Sequence, residues 1–231
     1  MIFIAAPFGN YIKSRKPNVL SVTGSWTRYE RPGRYYQLFR SLRYRNGVWY
    51  NAVGLRNPGY KRGIQAHARG TIFSIAAIDK EDWQFFAENI PKDIDIEVNL
   101  SCPNIEEFEP DWVNIQKLLT GKRQWSIFKI SPTTTITELD KLYEVGVRQI
   151  HASNTLKTKY GGLSGKTLQP YTMNLIKIMK KRYKDTTIIA GGGVTSPANI
   201  EAYLTSGASH VSIGTVCFNP VKLYKILRYA E

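Results

Sequence analysis

Residues 99–104 read Asn99-Leu100-Ser101-Cys102-Pro103-Asn104 and follow an apolar run at 94–98. A strand ending in a thiol, a hydroxyl and two carboxamides, with Pro103 stiffening the turn, puts polar groups where barrel enzymes keep their chemistry. No histidine or second cysteine stands close in sequence, so neither a metal site nor a redox pair is indicated. A thiol among amides suits proton transfer beside a flat polar ligand. The plain alternative is a buried free cysteine in a strand-end turn. Asn51, Asn99, Asn104 and Asn154 all fall at strand ends or in turns, and each amide supplies donors and an acceptor. Converging, they would match a ring that alternates N–H and C=O; singly, each fits an ordinary turn. Lys129 sits in the apolar run 125–130, where an ammonium needs an electron-rich partner or a path to solvent.

Two glycine segments close late strand-like runs: Gly191-Gly192-Gly193 after 187–190, and Gly214-Thr215 after 210–213. Gly161-Gly162-Leu163-Ser164-Gly165 precedes both. Glycine lets backbone N–H groups approach phosphate oxygens, and a following helix adds favourable potential. Loops after the last two strands of a (β/α)₈ barrel often build such a phosphate site. Tight turns are the simpler reading of any one segment.

The elements that must position these groups are short apolar runs at 2–6, 18–22, 71–75, 94–99, 126–130, 149–152, 187–190 and 210–213. Near-continuous apolar runs suit strands covered on both faces. Helical patterns lie between the later ones, at 80–90, 112–119, 137–145, 171–182, 197–206 and 220–229, with Asp79 as an N-cap for the first. Eight strands alternating with helices predict an α/β fold: a TIM barrel of parallel strands, in one domain over residues 1–231. Only residues 13–17 separate the first strand's tail from the second strand, so the barrel's first helix is expected to be lost. The segment 26–50 reads as hairpin or loop rather than helix.

The chain has 231 residues, 42% hydrophobic and 12% aromatic, enough for a sizeable core. Two cysteines, Cys102 and Cys217, give no disulfide framework and fit a reducing compartment. The apolar start lacks a basic leader, and no run approaches the roughly 20 residues that span a bilayer. A soluble, cytoplasmic protein without a membrane partner is expected. Lysine and arginine outnumber aspartate and glutamate by 32 to 18, for a net charge of +14. This favours anionic ligands. Much of the excess lies between Lys13 and Arg69, interleaved with tyrosines. A solvated loop near an anionic substrate accounts for it better than nucleic-acid contact. The basic cluster Lys177, Lys180, Lys181, Arg182 and Lys184 reads as a solvated helix face.

Taken together, residues 99–104, 161–166, 188–194 and 208–215, with Ser153-Asn154-Thr155 and the loop 51–55, resemble dihydroorotate dehydrogenases. Those are FMN-dependent (β/α)₈ enzymes that oxidise dihydroorotate to orotate in pyrimidine synthesis. The resemblance runs from about Val19 to the C-terminus. It implies that Cys102 is the general base at C5 of dihydroorotate, with hydride passing from C6 to FMN. Asn51, Asn99, Asn104, Asn154 and Thr155 would hold the small planar substrate. Ser25, Asn99, Lys129, Ser164, Gly165, Gly192, Gly193, Gly214 and Thr215 would hold FMN, and no metal is implied. In cysteine-type members the second strand ends in Thr-Lys-Ser; here it is Thr23-Gly24-Ser25, without that lysine. A homodimer is compatible with the sequence. Two other readings stand beside this one: a tRNA-dihydrouridine synthase-like flavoenzyme, and a flavin-binding barrel that has lost catalysis. Against the first, Ser101 stands where a glycine is usual, and the chain ends after the eighth unit.

Overall fold

A computed structural model describes residues 1–101 and 109–229. In chain order the first elements are β1 (Ile2–Ile4), β2 (Val19–Trp26), α1 (Arg34–Ser41), β3 (Arg43–Arg45), β4 (Val48–Asn51) and α2 (Gly59–Gln65). Regular alternation follows: β5 (Thr71–Ile75), α3 (Glu81–Asn89), β6 (Ile96–Asn99), α4 (Trp112–Leu118), β7 (Ser126–Ile130), α5 (Ile136–Glu144) and β8 (Gln149–Ala152). A short insertion, β9 (Leu156–Thr158) and β10 (Gly161–Gly165), leads into α6 (Gln169–Arg182). Then come β11 (Thr187–Gly191), α7 (Pro197–Thr205), β12 (His210–Ile213) and α8 (Pro220–Tyr229).

Eight of these strands close into a parallel barrel in the order β1-β12-β11-β8-β7-β6-β5-β2. They are the eight apolar runs of the sequence. A 3₁₀ turn at Phe8–Asn10 replaces a first helix between β1 and β2, as the short connection requires. The six later helices match the periodic segments. Asp79 accepts the Asp82 N–H at 3.1 Å and so caps the start of α3, while Thr135 and Glu138 form a reciprocal capping box on α5.

Strand alternation divides the core in two. Ile2 and Ile4, Phe73 and Ile75, Ile96 and Val98, Phe128 and Ile130 pack outward with the helices. Phe3, Val22, Ile72, Trp125, Ile127 and Ile189 form a separate cluster, the filling of the lumen, where Phe3 meets Trp125 edge-on at 5.1 Å. Two residues further along each strand, toward its C-terminal end, the inward positions change character. They are Ser74 on β5, Lys129 on β7, His151 on β8, Gly191 on β11 and Ser212 on β12. Glu97 joins them from β6, and all five side chains other than glycine are buried. The lumen is therefore apolar below and polar above.

A second, antiparallel sheet in the order β3-β4-β10-β9 covers that polar end. It corrects two readings of the sequence. Gly161–Gly165 is a strand and not a turn: its backbone is recruited by β4 on one side and β9 on the other. The segment 26–50 holds a hairpin, β3–β4, but also the helix α1. None of the residues of α1 is buried, so no buried stripe marks it. It is anchored at its end instead, where Gln37 donates to the Ala52 carbonyl at 2.9 Å and Ser41 accepts the Ala52 N–H at 3.0 Å.

Candidate active site

The C-terminal ends of the barrel strands and the covering sheet enclose a cavity of about 250 Å³. Every site residue expected from the sequence that lies among the described residues borders it. These are Ser25, Asn51, Asn99, Lys129, Asn154, Thr155, Ser164, Gly165, Gly192, Gly193, Gly214 and Thr215. Cys102 and Asn104 lie outside the described residues.

One end of the cavity is built from glycine. Gly192 (φ +98°) and Gly193 (φ +72°) take left-handed conformations. A Cβ on Gly193 would stand 2.9 Å from the Gly165 carbonyl, so two chain segments touch there through bare backbone. The outer carbonyls are engaged: Tyr203 donates to Gly192 at 2.6 Å and Gln169 to Gly193 at 2.8 Å. Gly214 differs, because a Cβ there would meet nothing within 4 Å. A side chain at Gly214 would fill open space beside Thr215.

The middle of the cavity is wired by one chain of hydrogen bonds. Asn154 donates to Asn99 Oδ1 at 2.9 Å and to the Ser101 carbonyl, and accepts the Thr155 N–H at 2.9 Å. Asn99 donates to Ser25 at 3.1 Å, Ser25 pairs with Ser74 at 2.8 Å, and Ser74 donates to Glu97 at 2.9 Å. His151 Nδ1 closes the chain on the other Glu97 oxygen at 2.7 Å. Asn51 reaches the cavity from β4, its amide 3.5 Å from the Gly162 carbonyl. Burial alone would push the Glu97 carboxyl up. The Lys129 charge and the hydrogen bonds from His151 and Ser74 outweigh it and hold the pKa at about 2. His151 moves down, because burial and Lys129 outweigh the pull of Glu97. At neutral pH the pair is a carboxylate and a neutral imidazole.

Sequence reasoning missed Glu97, His151 and Ser212, which sit inside runs scored as apolar. Strict alternation was the available signal, since each occupies an inward position. Arg34 on α1 and Arg56 in the loop after β4 also border the cavity; neither was named as a site residue, though both lie in the basic stretch that the sequence placed near an anionic substrate. With Lys129 they make the lining cationic, and no aspartate or glutamate borders the cavity among the described residues. No group of three or more His, Cys, Asp or Glu is placed to hold a metal, again among the described residues.

Gly24 is built into this site as glycine. Its φ is +101°, and a Cβ would lie 2.4 Å from the Ser74 carbonyl. Asn10 brackets it, accepting the Gly24 N–H at 3.0 Å and donating to its carbonyl at 3.4 Å.

A closed parallel eight-stranded barrel alternating with helices, with a cationic, amide-lined cavity at the C-terminal ends of its strands, makes the chain an α/β barrel of the TIM type. More narrowly, the chain belongs to the dihydroorotate dehydrogenase family, whose pattern it matches over residues 11–228. It is 30% identical over 205 residues to the catalytic subunit of dihydroorotate dehydrogenase B (NAD(+)) of Oceanobacillus iheyensis, covering 74% of this chain and 67% of that one. The protein of the same name from Pyrococcus furiosus is 29% identical over 73% of this chain and 66% of its own. A putative dihydroorotate dehydrogenase A (fumarate) of Aquifex aeolicus is 27% identical over 78% and 71%. The dihydroorotate dehydrogenase of Eimeria tenella, crystallised with ferulenol, shares the fold. Its TM-score is 0.69 at 16% identity, over 99% of this chain and 79% of that one. Among the described residues no helix is long and apolar enough to cross a membrane.

Proposed function

We propose that the cavity binds FMN and that the chain oxidises dihydroorotate to orotate. The observation that carries this reading is convergence: glycine segments from three separate places in the chain meet Lys129 and the expected Asn51, Asn99 and Asn154 in one cavity. Two features fit the cofactor independently of family. Gly214 leaves room beside backbone where a phosphate could seat, and Ser212 Oγ is a buried polar atom without a partner among the described residues. Ser164, Gly165, Gly192, Gly193, Gly214 and Thr215 would hold the phosphate end, and Ser25, Asn99 and Lys129 the ring. When bound, FMN supplies the two-electron acceptor.

The chain's own residues supply the rest. Asn51, Asn99, Asn154 and Thr155, with Asn104, orient a flat ring through paired donors and acceptors. The hydrogen bonds among Asn99, Asn154 and Ser25 fix those amides before a ligand arrives. Cys102, three residues beyond β6, is the proposed base that takes the proton from C5. Lys129, which lines the cavity, would offset negative charge on a reduced flavin. Cys217 is no rival base, because burial pushes its thiol up to about 12.

The test is the absorbance of the FMN-loaded protein on anaerobic addition of dihydroorotate. The parent should bleach. Cys102→Ala should bind FMN and not bleach, and Cys217→Ala should behave as the parent. A parent that takes up no FMN would refute the cofactor; a Cys102→Ala protein that bleaches like the parent would refute the base.

A further inference from the structure

The polar layer of the lumen holds two side-chain groups that the chemistry above leaves without a task. His151 Nδ1 faces Glu97 at 2.7 Å. A carboxylate only accepts, so Nδ1 must carry the imidazole's proton. A neutral imidazole protonated there offers a bare lone pair at Nε2. Among the described residues Nε2 has no hydrogen-bond partner, and His151 borders the cavity. Ser212 also borders it, and its buried hydroxyl has no partner either. A buried hydroxyl without a partner is rare and asks for an explanation.

Both groups flank Gly191. A Cβ at that position would lie 2.8 Å from His151 Nε2 and 3.4 Å from Ser212 Cβ. The absent side chain is what leaves the two facing the same space. Around the barrel wall the order is Lys129 on β7, His151 on β8, the gap at Gly191 on β11, then Ser212 on β12. Lys129 and His151 are direct register partners. In chemical terms the sequence is donor, acceptor, hydroxyl.

We propose that His151 Nε2 and Ser212 Oγ, beside Lys129, bind a ligand edge that reads carbonyl, N–H, carbonyl. The pyrimidine end of the isoalloxazine ring has that edge, at C2=O, N3–H and C4=O, so the inference rests on the FMN reading. His151 accepts from N3–H and Ser212 donates to the neighbouring carbonyl. Glu97 is a positioning residue: it fixes the tautomer and ring orientation of His151. A dihydropyrimidine carries a similar edge. The flavin is the occupant favoured here because the pair lies in the same lumen layer as Lys129, the residue assigned above to the flavin ring, and His151 is its direct register partner.

The experiment compares FMN with N3-methyl-FMN, which lacks the ring N–H, by quenching of flavin fluorescence on binding. The parent should bind the methylated flavin about tenfold more weakly, the worth of one neutral hydrogen bond. His151→Ala, which opens room for the methyl group, should bind FMN about tenfold more weakly than the parent and bind both flavins alike. Ser212→Ala should lose affinity for both and keep the discrimination. The parent comparison needs no variant to fold. Equal binding of the two flavins by the parent would overturn the inference, and so would discrimination that survives in His151→Ala. If His151→Ala leaves FMN binding intact and weakens only orotate, the pair reads substrate and the inference is wrong. A parent that binds neither flavin refutes the FMN reading itself, a separate outcome.

Discussion

Replacing Glu97 by glutamine should destabilise the fold by a calculable amount. The carboxylate is fully buried, and its pKa falls from an ordinary 4.5 to about 2. At about 1.4 kcal/mol per pH unit this corresponds to about 3 kcal/mol of stability at neutral pH. Glutamine keeps the shape and removes the charge. It also removes the buried negative charge that interacts with Lys129 and leaves that ammonium less well compensated. A chain of this size loses about 2–4 °C of Tm per kcal/mol, so thermal unfolding followed by circular dichroism at pH 7 should shift down by about 6–12 °C. The pH dependence fixes the mechanism. Because the folded-state pKa lies below the unfolded one, the unfolded chain takes up the proton first as pH falls. The contribution is complete above about 4.5, shrinks between there and about 2, and is gone below. Glu97→Gln has no such proton to take up. The gap between parent and variant should therefore be flat from pH 7 to about 5 and close as the solution is acidified further. A shift under about 2 °C at pH 7, or a gap that stays constant on acidification, would refute the argument that Glu97 is a charged, strongly held member of the lumen layer.

Gly24→Ala should cost at least about 2 kcal/mol, and Gly24→Lys should do no better, because the left-handed backbone and the Ser74 carbonyl exclude any Cβ. A lysine variant that melts with the parent would show that the site can take the side chain after all. Lys129→Ala should raise the Kd for FMN by about tenfold or more, the scale of a charge-assisted contact, as read by equilibrium dialysis; unchanged affinity and unchanged flavin potential would make Lys129 purely structural. Thirteen basic residues but only one acid, Glu30, precede Asp79. Binding to unstructured RNA should therefore be detectable at low salt in a filter assay and fade at physiological salt. Binding that resists salt and selects one RNA would instead support a nucleic-acid substrate.

The barrel was legible because its strands are covered on both faces, and eight apolar runs have no other economical arrangement. The cavity was legible where chemistry and backbone coincide, at Asn99, Asn154, Lys129, Gly192 and Gly193. What escaped did so for physical reasons. Helix α1 has no fully buried residue, and its Tyr35, Tyr36 and Phe39 face solvent, so it leaves no buried stripe. Gly161–Gly165 has the composition of a turn and becomes a strand because β9 and, more than a hundred residues earlier, β4 offer it edges on both sides. Glu97 and His151 are charged or titratable residues inside runs that read as core. Their partners come from neighbouring strands, so the sequence around each shows nothing to satisfy it.

The pairing of β4 with β10 joins Asn51 to Gly162 across 111 residues. Drawing the ends of so long a free loop together costs about 4 kcal/mol of chain entropy, more than a few strand hydrogen bonds return. The barrel removes that cost in advance, because closing β2 and β8 into one ring already brings the roots of β4 and β10 to the same rim. An order of assembly follows: the ring must close before its roof can. In the native state the order runs backward. By the same reasoning the roof, which closes last, is expected to open before the ring, and hydrogen exchange should be faster in β4 and β10 than in the barrel strands.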